Sequence, residues 1–201
     1  MDEFARAYAA TLDALTGDAA SRIAAYYDPE GDYAGGSFLA FGPNTPTEVT
    51  AADLFAVALL NADIGARAAR RVLADERLVA NLQAVPTDVR LEDADDGVLD
   101  VAGRFYERLR QLFVDPRAAR SDPWVAPAKL AARKRPWLLP VRDGLVRQYL
   151  GMQKPYSYRR DWQIYQQLMR DEQIRGLLDD LPANDPPLRI LDVALWTRAR
   201  Q

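Results

Sequence analysis

The sequence predicts an all-α fold, and three observations lead to this prediction. Apolar residues recur at helical spacing along most of the chain, strand-type alternation is nearly absent, and clusters of proline and glycine divide the pattern into short segments. With 201 residues, 49% of them apolar and 27% charged, the chain has the length and balance of a globular domain. We therefore expect a single compact multi-helix domain over residues 1–201, built from about nine short helices around one core.

The helices follow from apolar stripes that repeat every three to four residues. These patterns predict helices over 2–15, 19–27 and 51–60, helical pattern through 64–73 and again through 76–83, and further helices over 98–113, 126–135, from 141 or 143 to 150, over 159–181 and over 188–198. Thr50 is a typical N-cap for the third helix, whose buried stripe should include Leu54 and Phe55. Gly and Pro mark 33–47 as a loop, with 38–41 as a short extended piece.

The absence of both cysteine and histidine excludes many kinds of site. It rules out Cys or His zinc sites, cysteine-ligated clusters, Ser-His-Asp triads and histidine general bases. The acidic turn over 92–96 lacks the spacing of a calcium-binding loop, so we predict neither a metal site nor a cofactor. The N-terminus begins with acidic residues and has no long apolar core, which predicts a cytoplasmic protein without a membrane partner.

Positive charge is concentrated in a basic segment over residues 117–160. It holds eleven Lys and Arg but only two acids, whereas the remainder of the chain holds 15 basic and 27 acidic residues. Aromatic residues are interleaved with these cations, a combination typical of nucleic-acid binding. The predicted contact residues are Arg133, Lys134, Arg135, Trp137, Arg142 and Arg147. The alternative is that the basic segment packs against the acidic remainder and its aromatics belong to the core.

Residues 128–143 combine a lysine, a basic helix, a proline, an apolar pair, Pro-Val and an aspartate. This pattern, together with 49–57 and 188–196, resembles a family of uncharacterised bacterial proteins of unknown function. The same segment is more distantly similar to helix-hairpin-helix DNA glycosylases, especially the 8-oxoguanine-glycosylase-like branch. That resemblance implies a catalytic pair in which Lys129 matches the family's lysine and Asp143 its aspartate. The glycine-rich hairpin turn of those enzymes is replaced here by Arg-Lys-Arg-Pro-Trp.

In such a pair the lysine amine attacks the sugar carbon that bears the base, and the carboxylate stabilises the developing positive charge. The simpler alternative is that Asp143 only caps a helix and that Lys129 has a structural role. Three functions therefore stay open at this point. They are a nucleic-acid-binding, DNA-glycosylase-like domain for which loss of catalysis is left open, a non-enzymatic protein-interaction domain, and an active glycosylase.

Overall fold

A computed structural model describes residues 2–115, 123–152 and 157–201. Within these ranges it contains eleven α-helices, two short 3-10 turns and no strand, which confirms the all-α prediction. The helices are α1 Glu3–Leu15, α2 Ala19–Tyr27, α3 Ala51–Ala58, α4 Ala66–Leu73, α5 Glu76–Ala84, α6 Asp96–Phe113, α7 Val125–Lys134, α8 Gly144–Tyr149, α9 Tyr158–Arg170, α10 Glu172–Asp179 and α11 Pro187–Ala199. No helix among the described residues is long and apolar enough to cross a membrane.

The chain divides into two compact units. The first unit comprises the residues up to Gly36 together with those from Pro140 onward, and the second unit comprises Ser37–Leu139. In the first unit α11 packs against α1, α2, α8 and α10. Leu191, Val193 and Leu195 of α11 are fully buried, and apolar residues cover most of its circumference. A helix that is apolar on nearly all sides belongs at the centre of its unit.

The predicted long helix over 159–181 is wrong, because Asp171 interrupts it and two helices form instead. The backbone of Asp171 is extended, so it ends α9, and its side chain accepts a hydrogen bond from the Ile174 amide at 3.0 Å and begins α10. One residue thus supplies the C-cap of one helix and the N-cap of the next. The predicted apolar face survives the break, since Trp162 and Leu178 are both buried.

The second unit is organised around α6, which packs against α4, α5 and α7, while α7 also packs against α3. The structure corrects the predicted stripe of α3. Phe55 is 58% exposed and stacks on Phe41 at a centroid distance of 5.1 Å, whereas Asp53 is fully buried. Thr50 and Asp53 form a reciprocal capping box at the start of this helix. The predicted extended piece over 38–41 is also wrong, because these residues form turns.

Candidate functional site

The three consecutive cations at the end of α7 lie in the interior of the second unit. Arg133 is fully buried; its Nε donates to Asp53 Oδ1 at 2.8 Å, and its Nη atoms donate to the carbonyls of Phe38, Leu39 and Phe41. Lys134 Nζ donates to Asp53 Oδ2 at 3.0 Å and to Asn44 Oδ1 at 2.9 Å. One buried carboxylate therefore pairs with two cations.

Arg135 is also buried, but its described partners are backbone oxygens. Its guanidinium donates to the carbonyls of Leu82, Val85, Pro46 and Lys134 at 2.7 to 3.0 Å. Burial lowers the pKa of Arg135 because the charged form loses hydration. The side chain thereby connects the end of α5 and the loop before α3 to the end of α7.

Arg142 and Arg147 are buried in the first unit, where both donate to Asp161 Oδ2. Arg142 does so at 2.7 Å. The five predicted contact residues with positive side chains therefore all point inward, and their described hydrogen bonds satisfy internal acceptors. At these positions the structure agrees with the alternative in which the basic segment packs internally. Phosphate contact through them would require the interior to open, because a buried ion is stable only while it keeps its partners.

Trp137 is the sixth predicted contact residue, and it is 37% exposed. The Arg90 guanidinium lies 4.7 Å from the centre of the Trp137 ring. The backbone carbonyl of Trp137 accepts a hydrogen bond from the Leu91 amide at 2.9 Å. All six predicted contact residues belong to the described part of the chain. Residues 117–122 and 153–156 of the basic segment, which include Arg117, Arg120, Lys154 and Tyr156, lie outside it.

The two residues predicted to be catalytic each have a structural partner. Lys129 is 4% exposed, and its Nζ donates to the Leu60 carbonyl at 2.7 Å within the second unit. Asp143 belongs to the first unit, where its Oδ1 accepts from the Leu145 amide at 2.9 Å. The predicted helix cap at Asp143 is thus confirmed, as the N-cap of α8. The catalytic roles of both residues stay predictions.

A pocket of about 500 Å³ opens in the second unit. It is formed by the segment after α3, one face of α4, the end of α6 and the start of α7. The residues that line it are Asn61, Ala62, Asp63, Gly65, Arg67, Ala68, Arg71, Phe113, Asp115, Pro123, Trp124, Val125 and Ala126. Phe113 and Trp124 provide aromatic surface, and Arg67 and Arg71 provide positive charge.

The two pocket arginines keep hydrogen-bond donors unused. Arg67 and Arg71 are four residues apart and therefore lie on the same face of α4. The described acceptor of Arg71 is the Val114 carbonyl, which accepts from Nη2 at 2.8 Å, while Nε is buried without a partner. A guanidinium carries five N–H donors, so Arg71 keeps Nη donors besides the one that Val114 accepts.

Two helices begin at this pocket without a side-chain cap. The N-cap residues are Gly65 for α4 and Trp124 for α7, and neither accepts a hydrogen bond from its helix through its side chain. A polar side chain caps seven of the other helices, namely Asp2, Thr50, Asp75, Asp95, Asp143, Ser157 and Asp171. First-turn amides carry partial positive charge, so they add to the potential of Arg67 and Arg71.

Sequence reasoning did not find this pocket. Trp124 lies within the basic segment, whereas Arg67 and Arg71 lie outside it, on α4. The available signal was the Arg-x-x-x-Arg spacing next to an uncapped helix start at Gly65. Among the described residues no group of three or more Asp and Glu is placed to hold a metal ion.

Fold and site together define an all-α protein with buried ion-pair networks and an arginine-lined pocket. Residues 19–199 match the model of the family of unknown function DUF6308, and the chain therefore belongs to this family. The resemblance to an uncharacterised family is thus confirmed, while the glycosylase resemblance receives no support. No curated protein and no solved structure matches the chain.

Proposed function

We propose that this protein binds a small anionic molecule in the pocket beside α4. The observation that carries the proposal is the Arg71 guanidinium, which lines the pocket with only Nη2 in a described hydrogen bond. Its Nη groups keep N–H donors that an anion in the pocket can use, and a hydrogen bond to a charged group contributes about 1.5–3 kcal/mol.

The charges that line the pocket favour an anion. Arg67 and Arg71 have no carboxylate partner among the described residues, and Asp115 is already engaged in another interaction. Asp63 is exposed and contributes one opposing charge. The formal charges of Asp63, Asp115, Arg67 and Arg71 sum to zero, so the attraction for an anion comes from the placement of the two arginines beside two helix N-termini.

The size and surface of the pocket suit a small organic ligand. Ligand sites typically measure about 300–1,000 Å³ and combine apolar walls with a few polar groups. Here Phe113 and Trp124 form the aromatic wall, and α4 presents the polar groups. The buried cations Arg133, Lys134 and Arg135 differ from the pocket arginines, because their described donors already reach internal acceptors.

Thermal melting in the presence of small anions tests the proposal. A ligand that binds the native state raises the melting temperature by an amount that grows with the logarithm of the ratio of its concentration to Kd. We expect at least one organic phosphate or carboxylate to raise the melting temperature of the wild type but not of Arg71→Ala. Arg70→Ala is the matched control, because Arg70 is exposed on the same helix and does not line the pocket. Equal stabilisation of both variants would refute the site.

Nucleic-acid binding is the second candidate function, and Trp137 favours it. Its partly exposed ring beside Arg90 offers a stacking surface with an adjacent positive charge. This version of the hypothesis no longer uses the buried cations of α7. The glycosylase reaction through Lys129 and Asp143 and the non-enzymatic protein-interaction role are left as hypotheses without a further supporting contact.

A further inference from the structure

We infer that the ligand of the α4 pocket is a phosphate monoester that carries a flat aromatic ring, which is the chemistry of a mononucleotide. This inference rests on the proposed function, since it specifies which anion the pocket takes. Three features of the pocket wall each select one part of such a ligand. They are the arginine pair on α4, the aromatic side chains of Phe113 and Trp124, and the acceptor at Asp63.

The arginine pair suits a doubly charged group. Arg67 and Arg71 present two guanidiniums one helical turn apart, next to the uncapped N-terminus of α4. A carboxylate is satisfied by a single bidentate guanidinium. A phosphate monoester has more acceptor oxygens and close to two negative charges at neutral pH, so it can use both guanidiniums and the first-turn amides together. The pocket therefore favours phosphate over carboxylate.

The aromatic wall suits a planar ring. Trp124 and Phe113 line the pocket, and Trp124 is only partly buried. The Trp124 backbone carbonyl accepts from the Tyr106 hydroxyl at 3.3 Å, which helps to fix the segment that carries the indole. Stacking of a base on an aromatic side chain contributes binding energy without requiring a particular base.

The rest of the pocket volume and the Asp63 carboxylate suit the part of the ligand that joins the phosphate to the ring, such as a sugar. A pocket of about 500 Å³ is much larger than a lone phosphate or a single ring requires. The Asp63 carboxylate is exposed on the pocket wall and accepts hydrogen bonds, which matches sugar hydroxyls or exocyclic amino groups. A nucleoside monophosphate combines these groups in one molecule.

Calorimetric titration of the full chain with matched ligands tests this inference. The ligands are adenosine 5′-monophosphate, adenosine, ribose 5-phosphate, benzoate and a 5′-phosphorylated oligonucleotide. We expect adenosine and ribose 5-phosphate each to bind at least about tenfold more weakly than the monophosphate, because each lacks one of the two recognised parts. Binding of the oligonucleotide at least as tight as that of the monophosphate would assign the ligand as the end of a strand, and weaker binding would assign it as the free nucleotide.

Side-chain variants connect the binding to the pocket wall. Arg71→Ala should weaken monophosphate binding at least about tenfold, with Arg70→Ala within about twofold of the wild type. Trp124→Leu should weaken binding of the monophosphate but not of ribose 5-phosphate, and Trp124→Phe should restore most of the loss. Circular dichroism and melting temperature establish that each variant folds.

The possible failures of this experiment are distinguishable. If benzoate binds as tightly as the monophosphate and Arg71→Ala weakens both, the anion site stands and the inference of a phosphate ligand is wrong. If ribose 5-phosphate binds as tightly as the monophosphate, the ring-binding role of Trp124 is wrong. If no ligand of the set binds the wild type, the inference is overturned; the proposed function then falls as well if the wider anion survey also gives no stabilisation.

Discussion

Arg133 donates a hydrogen bond to Asp53 across 2.8 Å in the interior of the second unit, and both side chains are fully buried. Lys134 reaches the second oxygen of the same carboxylate at 3.0 Å. The most basic stretch of the sequence is thus used to hold the fold together. Its positive side chains donate hydrogen bonds to Asp53 and to backbone carbonyls in the interior, so they are not exposed to a partner.

Asp53→Asn should strongly destabilise the protein. The substitution leaves Arg133 and Lys134 buried without their carboxylate, and breaking a buried ion pair from one side costs about 3–5 kcal/mol. Urea denaturation measures the change in free energy of unfolding. The control is Asp63→Asn, an exposed acid whose loss should change the free energy by no more than about 0.5 kcal/mol. Equal stability of the two variants would contradict the structural role of the network.

Asp13 should make stability depend on pH in the acidic range. Hydrogen bonds from Arg198 and the Tyr149 hydroxyl, at 2.8 and 2.6 Å, lower the pKa of its carboxyl from 3.8 to about 2. A lowered carboxyl pKa stabilises the native state above the unfolded-state pKa, and this contribution is lost as the pH falls through the native pKa.

The difference in unfolding free energy between wild type and Asp13→Asn should therefore be constant from about pH 5 to 7 and shrink between about pH 4 and 2. Urea denaturation at a series of pH values measures it. A difference that does not change between pH 6 and pH 2 would show that the pKa of Asp13 is unperturbed.

Substitution of Trp137 tests the nucleic-acid hypothesis without removing any of the buried cations. If the exposed ring and Arg90 form a stacking site, Trp137→Ala should weaken binding of single-stranded DNA by about tenfold or more, in line with about 1–3 kcal/mol per stacked base. Fluorescence anisotropy at two salt concentrations measures the affinity. Phe55→Ala is the control, because it removes an exposed ring from elsewhere in the second unit. Absence of DNA binding by the wild type at low salt would eliminate this function.

Covalent trapping tests the predicted glycosylase chemistry. The structure leads us to expect no borohydride-trapped adduct with abasic DNA, because Lys129 Nζ is buried and donates to the Leu60 carbonyl. A nucleophilic amine must instead reach the sugar in a site that admits a flipped base. An adduct that disappears in Lys129→Ala would overturn this expectation and restore the lysine to the role that the resemblance implies.

The helices could be predicted because their signals are local. Apolar spacing and caps such as Thr50 and Asp143 mark helix positions within a few residues. The break at Asp171 also has a local signal, an N-cap residue followed by Glu172, but the continuous apolar face obscured it. At Asp53 the local signal is also incomplete, because a capping box predicts the position of this residue in the helix but does not predict whether its side chain is buried.

The interior pairings and the pocket could not be predicted, because they depend on contacts between distant segments. Arg133 lies eighty positions from Asp53, and nothing near either residue in the sequence indicates the other. Composition could show that the basic segment lacks acids, but not whether its charge faces solvent. Arg71 likewise acquires its significance only when the segments that carry Phe113 and Trp124 come together around it.

The Arg71 guanidinium is proposed to donate to the bound anion. Nuclear magnetic resonance of the arginine Nε–H groups reports on each guanidinium separately, with the Arg71 signal assigned by its absence in Arg71→Lys and the Arg70 signal assigned likewise. We expect adenosine 5′-monophosphate to shift the Arg71 signal in a saturable manner and to leave that of Arg70 in place. An Arg71 signal that does not move at ligand concentrations that saturate the protein would contradict the proposed anion site.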